Sequence, residues 1–253
     1  MGRVIAFVYG LICYFAFFGT ILYAIGFTEN MVVPKGIDDG IEDLTVSKWI
    51  PCLINMLLLG AFAIQHSIMA RPAFKVWWTK IIPKPIERST YVLLASGLLC
   101  LMFWQWRPMT NAVWDFQPPA VRYILCGLSF VGWAMVFYST FIIDHFDLFG
   151  MRQVFLYLKG KEYTDLKYAE RSLYKLVRHP LYLGFITAFW FTPTMTQGHL
   201  LFAAVTTAYI LVAIQLEERD LIKGLGQDYV DYRKRTPMIL PFPKGKPAGE
   251  ETQ

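Results

Sequence analysis

Four stretches of about twenty mostly apolar residues, at 4–27, 49–70, 90–106 and 120–143, dictate what this chain can become. A hydrocarbon core about 30 Å thick demands roughly that many residues per helical crossing, and lipid leaves a spanning segment little choice but a helix with its own backbone satisfied. The reading is an all-α, polytopic membrane bundle. Composition agrees: 55% of the residues are hydrophobic and only 17% charged, against about 25% charged in an average soluble protein.

Two further apolar segments, Leu181 to Gly198 and Leu200 to Leu216, are shorter and meet at "TPTMTQGH", which reads as the turn of a C-terminal helical hairpin. Six crossings are therefore expected. The first stretch is longer than the 7–15-residue core of a signal peptide and no clear cleavage site follows, so it is counted as a span.

Charge sets the orientation, because Lys and Arg in short loops stay on the cytoplasmic side. The connection 28–48 carries Glu29, Asp38, Asp39, Glu42 and Asp43 against Lys35 and Lys48. The next, 71–88, carries Arg71, Lys75, Lys80, Lys84 and Arg88 against Glu87, and its Trp77 and Trp78 suit an interfacial segment. The 144–178 connection (Arg152, Lys159, Lys161, Lys167, Arg171, Lys175, Arg178) and the tail (Lys223, Arg233, Lys234, Arg235, Lys244, Lys246) are basic as well. Both termini are expected in the cytoplasm, and the chain is read as one membrane domain: four spans in 1–143, a cytoplasmic connection over 144–178, and a cofactor-binding hairpin with tail over 179–241. The net charge of +5 answers to anionic headgroups and calls for no nucleic-acid partner.

Cys13, Cys52, Cys100 and Cys126 are scattered without ligand or disulfide spacing, so no metal is expected and the thiols read as small core residues. The chain has no Gly-rich phosphate loop, nucleophile elbow or H-E-x-x-H pair. What remains is a set of polar residues that the six-span topology brings to one layer. It comprises Gln65, His66 and Arg71 at the end of span two, Asp144 and His145 at the end of span four, His179 and Tyr182 at the start of span five, and Glu217, Glu218 and Arg219 at the end of span six. Arg178 and Arg219 also have an ordinary role as membrane anchors, and Pro180 is a favoured first helical residue behind a capping His179. His66 stands out, since Asn55 lies eleven residues earlier and within about 20° of the same helical face, and ionisable groups inside spans usually face the bundle interior.

"RHPLYLG" at 178–184, followed by "EERDLIKGLGQDYVDYRKRTPMILP" at 217–241, resembles the C-terminal signature of the isoprenylcysteine carboxyl methyltransferase-like membrane methyltransferases. The match runs through Arg178, His179, Pro180, Tyr182, Gly184, Glu217, Glu218, Gly226, Tyr229, Tyr232, Pro237 and Pro241. The same pattern is similar to the end of NADPH-dependent membrane sterol reductases. Where the methyltransferases commonly have Gly-Pro-Tyr, this chain has Ser172, Leu173 and Tyr174, so the tyrosine alone carries over. "FAIQHSIMARPAFKVWW" at 62–78 resembles the span-two signature of NnrU-like proteins and of the methanethiol S-methyltransferases, the family that fits best in length and layout.

That resemblance implies an integral protein of a bacterial inner membrane that holds S-adenosylmethionine at its cytoplasmic face and methylates a small volatile thiol to dimethyl sulfide. On this reading Tyr174, Arg178, His179, Pro180, Tyr182, Glu217, Glu218 and Tyr229 form the cofactor site. Adjacent Glu217 and Glu218 point about 100° apart, so one is structural, and Glu218 is favoured for the cofactor. A thiol with a pKa near 8.5 needs a base, for which His66 comes first. Asp144 or His145 would orient or replace it, and Arg219 would hold the thiolate. The competing readings are a prenylcysteine methyltransferase, a sterol reductase, and a non-enzymatic NnrU-like protein whose polar residues only pack helices.

Overall fold

The computed structural model describes residues 2–40, 47, 49–164 and 169–242, so Glu42, Asp43, Lys48, Lys167, Lys244 and Lys246 lie outside the described residues. In chain order the elements are α1 (Gly2–Glu29), α2 (Trp49–Ala70), α3 (Pro72–Trp78), α4 (Lys84–Gln105), β1 (Ala112–Asp115), α5 (Pro119–Ile143), α6 (His145–Leu148), α7 (Met151–Leu158), a 3₁₀ turn (Ser172–Lys175), α8 (Pro180–Trp190), β2 (Thr194–Thr196), α9 (Gln197–Leu225) and α10 (Gln227–Arg235). Five of these helices, α1, α2, α4, α5 and α9, are long and apolar enough to cross a membrane. Many of their large apolar side chains face outward, as Phe15, Leu57 and Val212 do at about 60% exposure, which is the pattern of a surface meant for lipid.

The expected sixth span takes a different form. Its helix, α8, has 11 residues and rises about 16 Å, well short of a bilayer core. Pro193 explains where it stops: the residue before a proline is pushed out of the α region, and the run of Thr192, Thr194 and Thr196 prefers extended backbone. "TPTMTQGH" is accordingly no simple turn. Thr194 to Thr196 form β2, antiparallel to β1 in the α4–α5 connection, with Ala112 opposite Thr196 and Asp115 opposite Thr194. Thr196 then caps α9, its Oγ1 accepting from the His199 amide at 3.0 Å. A small β-ribbon thus interrupts a fold expected to be wholly helical.

Small residues let the helices approach. A Cβ on Gly184 of α8 would lie 2.8 Å from the Gly132 carbonyl oxygen and 2.9 Å from the Val136 nitrogen of α5; one on Gly132 would lie 2.5 Å from the Ala188 nitrogen. The two backbones therefore touch at a Gly–Gly crossing, the usual device for close packing in lipid. At one end of the bundle Phe27, Met102, Phe103, Trp106, Trp133 and Phe202 form the largest core cluster. There Asn55, fully buried, closes the end of α4 by donating to the Arg107 carbonyl (2.8 Å) and accepting from the Arg107 amide (2.9 Å). The other end carries α3, α6, α7, α10 and most of the cations.

Candidate active site

The "RHP" motif and α9 meet at this basic end. Arg178 and His179 enter α8 through Pro180, whose missing N–H costs nothing in a first helical turn. Arg178 Nε and Nη2 both reach Glu218 Oε1 at 2.8 Å, His179 Nε2 reaches the same oxygen at 3.1 Å, and Arg233 Nε lies 3.2 Å from Oε2. Glu218 is 3% exposed and Arg178 7%, so charge is compensated where water is excluded. The remaining Arg178 donors go to the carbonyls of Arg233 (3.1 Å) and Thr236 (2.5 Å). The backbone joins in: Arg178 N donates to Pro237 O and His179 N to Met238 O, at 2.9 and 3.1 Å. Together these bonds clasp residues 233–238 onto the start of α8, and Ile239 and Met238 pack beside Ile210, Ile214 and Tyr182.

A second group of side chains lies next to the clasp and is far less saturated. Tyr182 donates to Glu217 Oε2 at 3.0 Å, and both residues are half-buried. Tyr174 sits close to the same carboxylate, which together with burial raises its phenol above the ordinary tyrosine range; burial contributes most. Tyr229, at 2% exposure, is pushed up to about 12, by burial first and the Glu218 charge second. Both hydroxyls therefore keep their protons at neutral pH, and the Tyr229 oxygen accepts from Arg178. Tyr232 donates to the Tyr174 carbonyl at 2.6 Å and holds the 3₁₀ turn against α10.

On the α2 side, the Tyr91 hydroxyl lies 3.0 Å from both ring nitrogens of His66, whose other face stacks on Phe62 at 5.2 Å. Arg88 lies over the Tyr91 ring at 5.0 Å, and its Nε donates to the Leu148 carbonyl. Ser67 and Tyr209 share a hydrogen bond of 3.0 Å, and Arg71 pairs with Asp220 at 2.8 Å. These two contacts tie α2 to α9 immediately beside His66. The ends of α2 and α9 and the starts of α4 and α8 thus share one polar layer.

The structure brings Arg178, His179, Pro180, Tyr182, Glu217, Glu218, Tyr174, Tyr229 and His66 to this layer, but not as equals. Glu218, which the sequence favours for the cofactor, is the hub of the clasp, whereas Glu217 faces Tyr182 and Tyr174. Asp144 and His145 stand apart. The His145 ring nitrogens are taken by Tyr14 (2.9 Å) and Thr140 (2.8 Å), and its ring stacks on Phe141 at 4.3 Å and meets Phe149 at 4.9 Å. Phe149 in turn stacks on Phe17, and that pair packs against the Met69–Tyr91 cluster, so an aromatic layer separates His145 from the His66 partner. Asp144 holds φ 155 and accepts from the Asp147 amide at 3.0 Å, capping α6. Arg219 points from an exposed face of α9. Asn55, on the helical face shared with His66, serves the opposite end of the bundle.

Tyr91, Arg88, Ser67 and Tyr209 are the residues that sequence reasoning passed over. Their one signal is periodicity: Ser67 adjoins His66, and Arg88 and Tyr91 are three apart on a helix whose buried face also includes Ser89 and Val92. Which helix lies opposite His66 is a tertiary fact. Among the described residues no group of three or more His, Cys, Asp or Glu is placed to hold a metal ion, and the four cysteines are free.

Comparison with known proteins gives this layer a context. The chain is 55% identical over 240 residues to methanethiol S-methyltransferase 1 of Bradyrhizobium diazoefficiens, covering 95% of this chain and 83% of that protein. It is 51% identical over 243 residues to the methanethiol S-methyltransferase of Mycobacterium tuberculosis, covering 96% and 98%. A more distant similarity, 30% over 175 residues and 66% of each chain, links it to nurim of Mus musculus. No family model matches, and no solved structure does. With half of its residues shared along nearly its whole length, the chain belongs to the methanethiol S-methyltransferase family.

Proposed function

We infer that this protein is a membrane enzyme that methylates methanethiol to dimethyl sulfide with S-adenosylmethionine as methyl donor. The relatives' activity supplies the reaction class. The observation that gives it residues here is the pairing of His66 with a neutral phenol at the edge of an incompletely saturated polar layer.

The donor set fits the cofactor. S-adenosylmethionine carries a ribose diol, an adenine, and an amino acid with both charges. Glu217 offers a half-buried carboxylate, and Tyr174 and Tyr182 offer hydroxyls and aromatic faces beside it. These three would hold the nucleoside, while Arg178, His179, Pro180, Glu218 and Tyr229 shape the wall by fixing the tail behind it. When bound, the cofactor supplies an electrophilic methyl group on a sulfonium, and its transfer to a thiolate gives the sulfide.

The chain's own task is the proton. A simple alkanethiol is a weaker acid than cysteine, whose thiol ionises near about 8.5, so it is mostly protonated at neutral pH, and more so in an apolar site. With the Tyr91 oxygen accepting from the N–H of one His66 ring nitrogen, the other nitrogen is left to accept the S–H proton. Arg88 over the Tyr91 ring fixes that phenol in place. His66 projects from α2 among Phe62 and other apolar side chains, where a small hydrophobic thiol can arrive from lipid.

The six-crossing topology belongs to the same proposal. Helix α8 rises about 16 Å, a turn at Phe191 ends it, and strand β2 carries the chain on from there, so α8 with β2 takes the place of a sixth crossing. Strand β2 ends beside β1, in the connection between α4 and α5. Its backbone is served by the ribbon, by Phe116 N to Pro193 O and by Trp114 Nε1 to Thr192 O, so protein rather than lipid meets its polar groups. The basic end then faces the cytoplasm with both termini.

The test is calorimetric titration of the detergent-purified protein with S-adenosylmethionine and with NADPH, followed by headspace detection of dimethyl sulfide after methanethiol is added. Binding of S-adenosylmethionine with product is expected. Binding of NADPH alone would overturn the assignment.

A further inference from the structure

Among the side-chain atoms at the basic end that are shut off from solvent yet have no hydrogen-bond partner among the described residues, Gln153 Oε1 of α7 stands on its own, and three others fall together: Gln65 Oε1, Trp78 Nε1 and Glu87 Oε1. They come from three different elements, α2, α3 and α4, and border one cluster. Gln65 Nε2 contacts Met69 Sδ at 3.0 Å, Trp78 packs on the Met69–Tyr91–Val92 cluster, and Glu87 sits one helical turn before Tyr91. Lys75 of α3 interacts electrostatically with Glu87, Arg88 and Arg71. A buried acceptor or donor left unpaired costs about 1–3 kcal/mol, more for a charged one, so three beside one another mark a place where a ligand's polar groups belong.

Their chemistry is selective. Two acceptors, one of them a carboxylate, call for an N–H-rich cation. The indole N–H and the Lys75 ammonium call for an anion. An α-amino acid zwitterion presents both within a few ångströms.

We propose that Gln65, Glu87 and Trp78 form a subsite for the amino-acid end of the cofactor, with Glu87 and Gln65 accepting from its α-ammonium and Trp78, with Lys75, receiving its carboxylate. This rests on the S-adenosylmethionine reading above and extends it: the nucleoside lies against α8 and α9, and the amino-acid end reaches across to α2, α3 and α4. His66 and Tyr91 border the same cluster, so the substrate's base lies next to the middle of the ligand.

Two probes separate this inference from the reading it rests on. S-adenosylhomocysteine carries the amino acid and 5′-methylthioadenosine lacks it, and both can be titrated calorimetrically into wild-type, Glu87→Gln and Trp78→Phe protein in detergent, with unfolding midpoints measured alongside. The expected result is that each substitution weakens S-adenosylhomocysteine binding about tenfold or more while 5′-methylthioadenosine binding and the midpoints stay at wild-type values. Equal losses for both probes, or no loss for either, would overturn the subsite. A wild-type protein that binds neither probe would instead remove the S-adenosylmethionine reading itself.

Discussion

The clasp around Glu218 and the layer around His66 lie side by side, yet they are built on opposite principles. In the clasp the strong donors and acceptors are paired: Arg178 spends its guanidinium on one carboxylate and two carbonyls, and Glu218 meets Arg178, His179 and Arg233. In the neighbouring layer, among the described residues, Glu217 holds a single tyrosine, His66 a single phenol, and the three buried atoms on α2, α3 and α4 hold none. A saturated network fixes structure, because any new ligand would have to displace bonds already made. An unsaturated one is where binding free energy is available. On the proposed reading the Glu218 clasp serves the scaffold, while Glu217, the neighbouring tyrosines, Gln65 and His66 face the chemistry.

The strongest way to break that contrast is to remove the hub. Glu218→Ala leaves the buried Arg178 guanidinium without its counter-charge and His179 without its carboxylate partner, and breaking such a buried pair typically costs about 3–5 kcal/mol. The expected outcome is loss of a monodisperse, cooperatively unfolding protein in detergent, whereas Glu217→Gln keeps the wild-type unfolding midpoint and weakens cofactor binding. A stable Glu218→Ala protein that fails only to bind S-adenosylhomocysteine would move the clasp into the ligand site.

His66→Ala sharpens the other half. General-base catalysis contributes about 10²- to 10⁴-fold, so methyl transfer at neutral pH should fall within that range while stability is kept. The deficit has a direction with pH. As pH rises, a growing fraction of the thiol ionises without help and the variant should approach wild type. A deficit that is constant from pH 6 to 9 would show that the imidazole does not take the proton.

Much of this architecture is legible in the sequence, and the exceptions have physical causes. The long helices follow from apolar run length, since lipid makes that signal nearly deterministic. The end of α8 is less legible because Pro193 and three threonines speak for extended backbone, while the apolar run 181–191 speaks for a longer helix. The candidate site divides the same way. "RHP" and "EE" are conspicuous as motifs, but which glutamate is enclosed depends on whether its face of α9 meets α8 and the tail. The sequence puts His66 first and leaves Asp144 or His145 to orient or replace it, and only packing assigns the two His145 nitrogens to Tyr14 and Thr140.

Gly184 tests whether the clasp is held in register by the helix crossing beneath it. A side chain there meets the Gly132 carbonyl and the Val136 nitrogen, both backbone atoms that cannot swing aside. Gly184→Val should therefore cost about 1–3 kcal/mol of overpacking, read as a lowered unfolding midpoint. Activity should fall with it, because α8 carries Tyr182 toward Glu217. Full stability in this variant would mean that α5 and α8 can part without cost and that the crossing does not position the site.

The smallest effect concerns His145, and its sign follows from packing. Burial among Phe141, Phe146 and Phe149 lowers its pKa below the ordinary histidine value, partly opposed by Asp144. The folded protein keeps this ring neutral while the unfolded chain takes up a proton near pH 6.5. Its contribution to stability is therefore complete above pH 6.5 and declines as pH falls from there through the folded-state value, since the unfolded state then binds more protons. Comparing unfolding midpoints of wild type and His145→Gln between pH 7.5 and 5 should show a shallower acid dependence in the variant, with methyl transfer at pH 7.5 within about twofold of wild type, since aromatic rings stand between this imidazole and Tyr91. A loss of activity as large as that of His66→Ala would instead place both histidines in one proton path and erase the distinction between a saturated side chain and an available one.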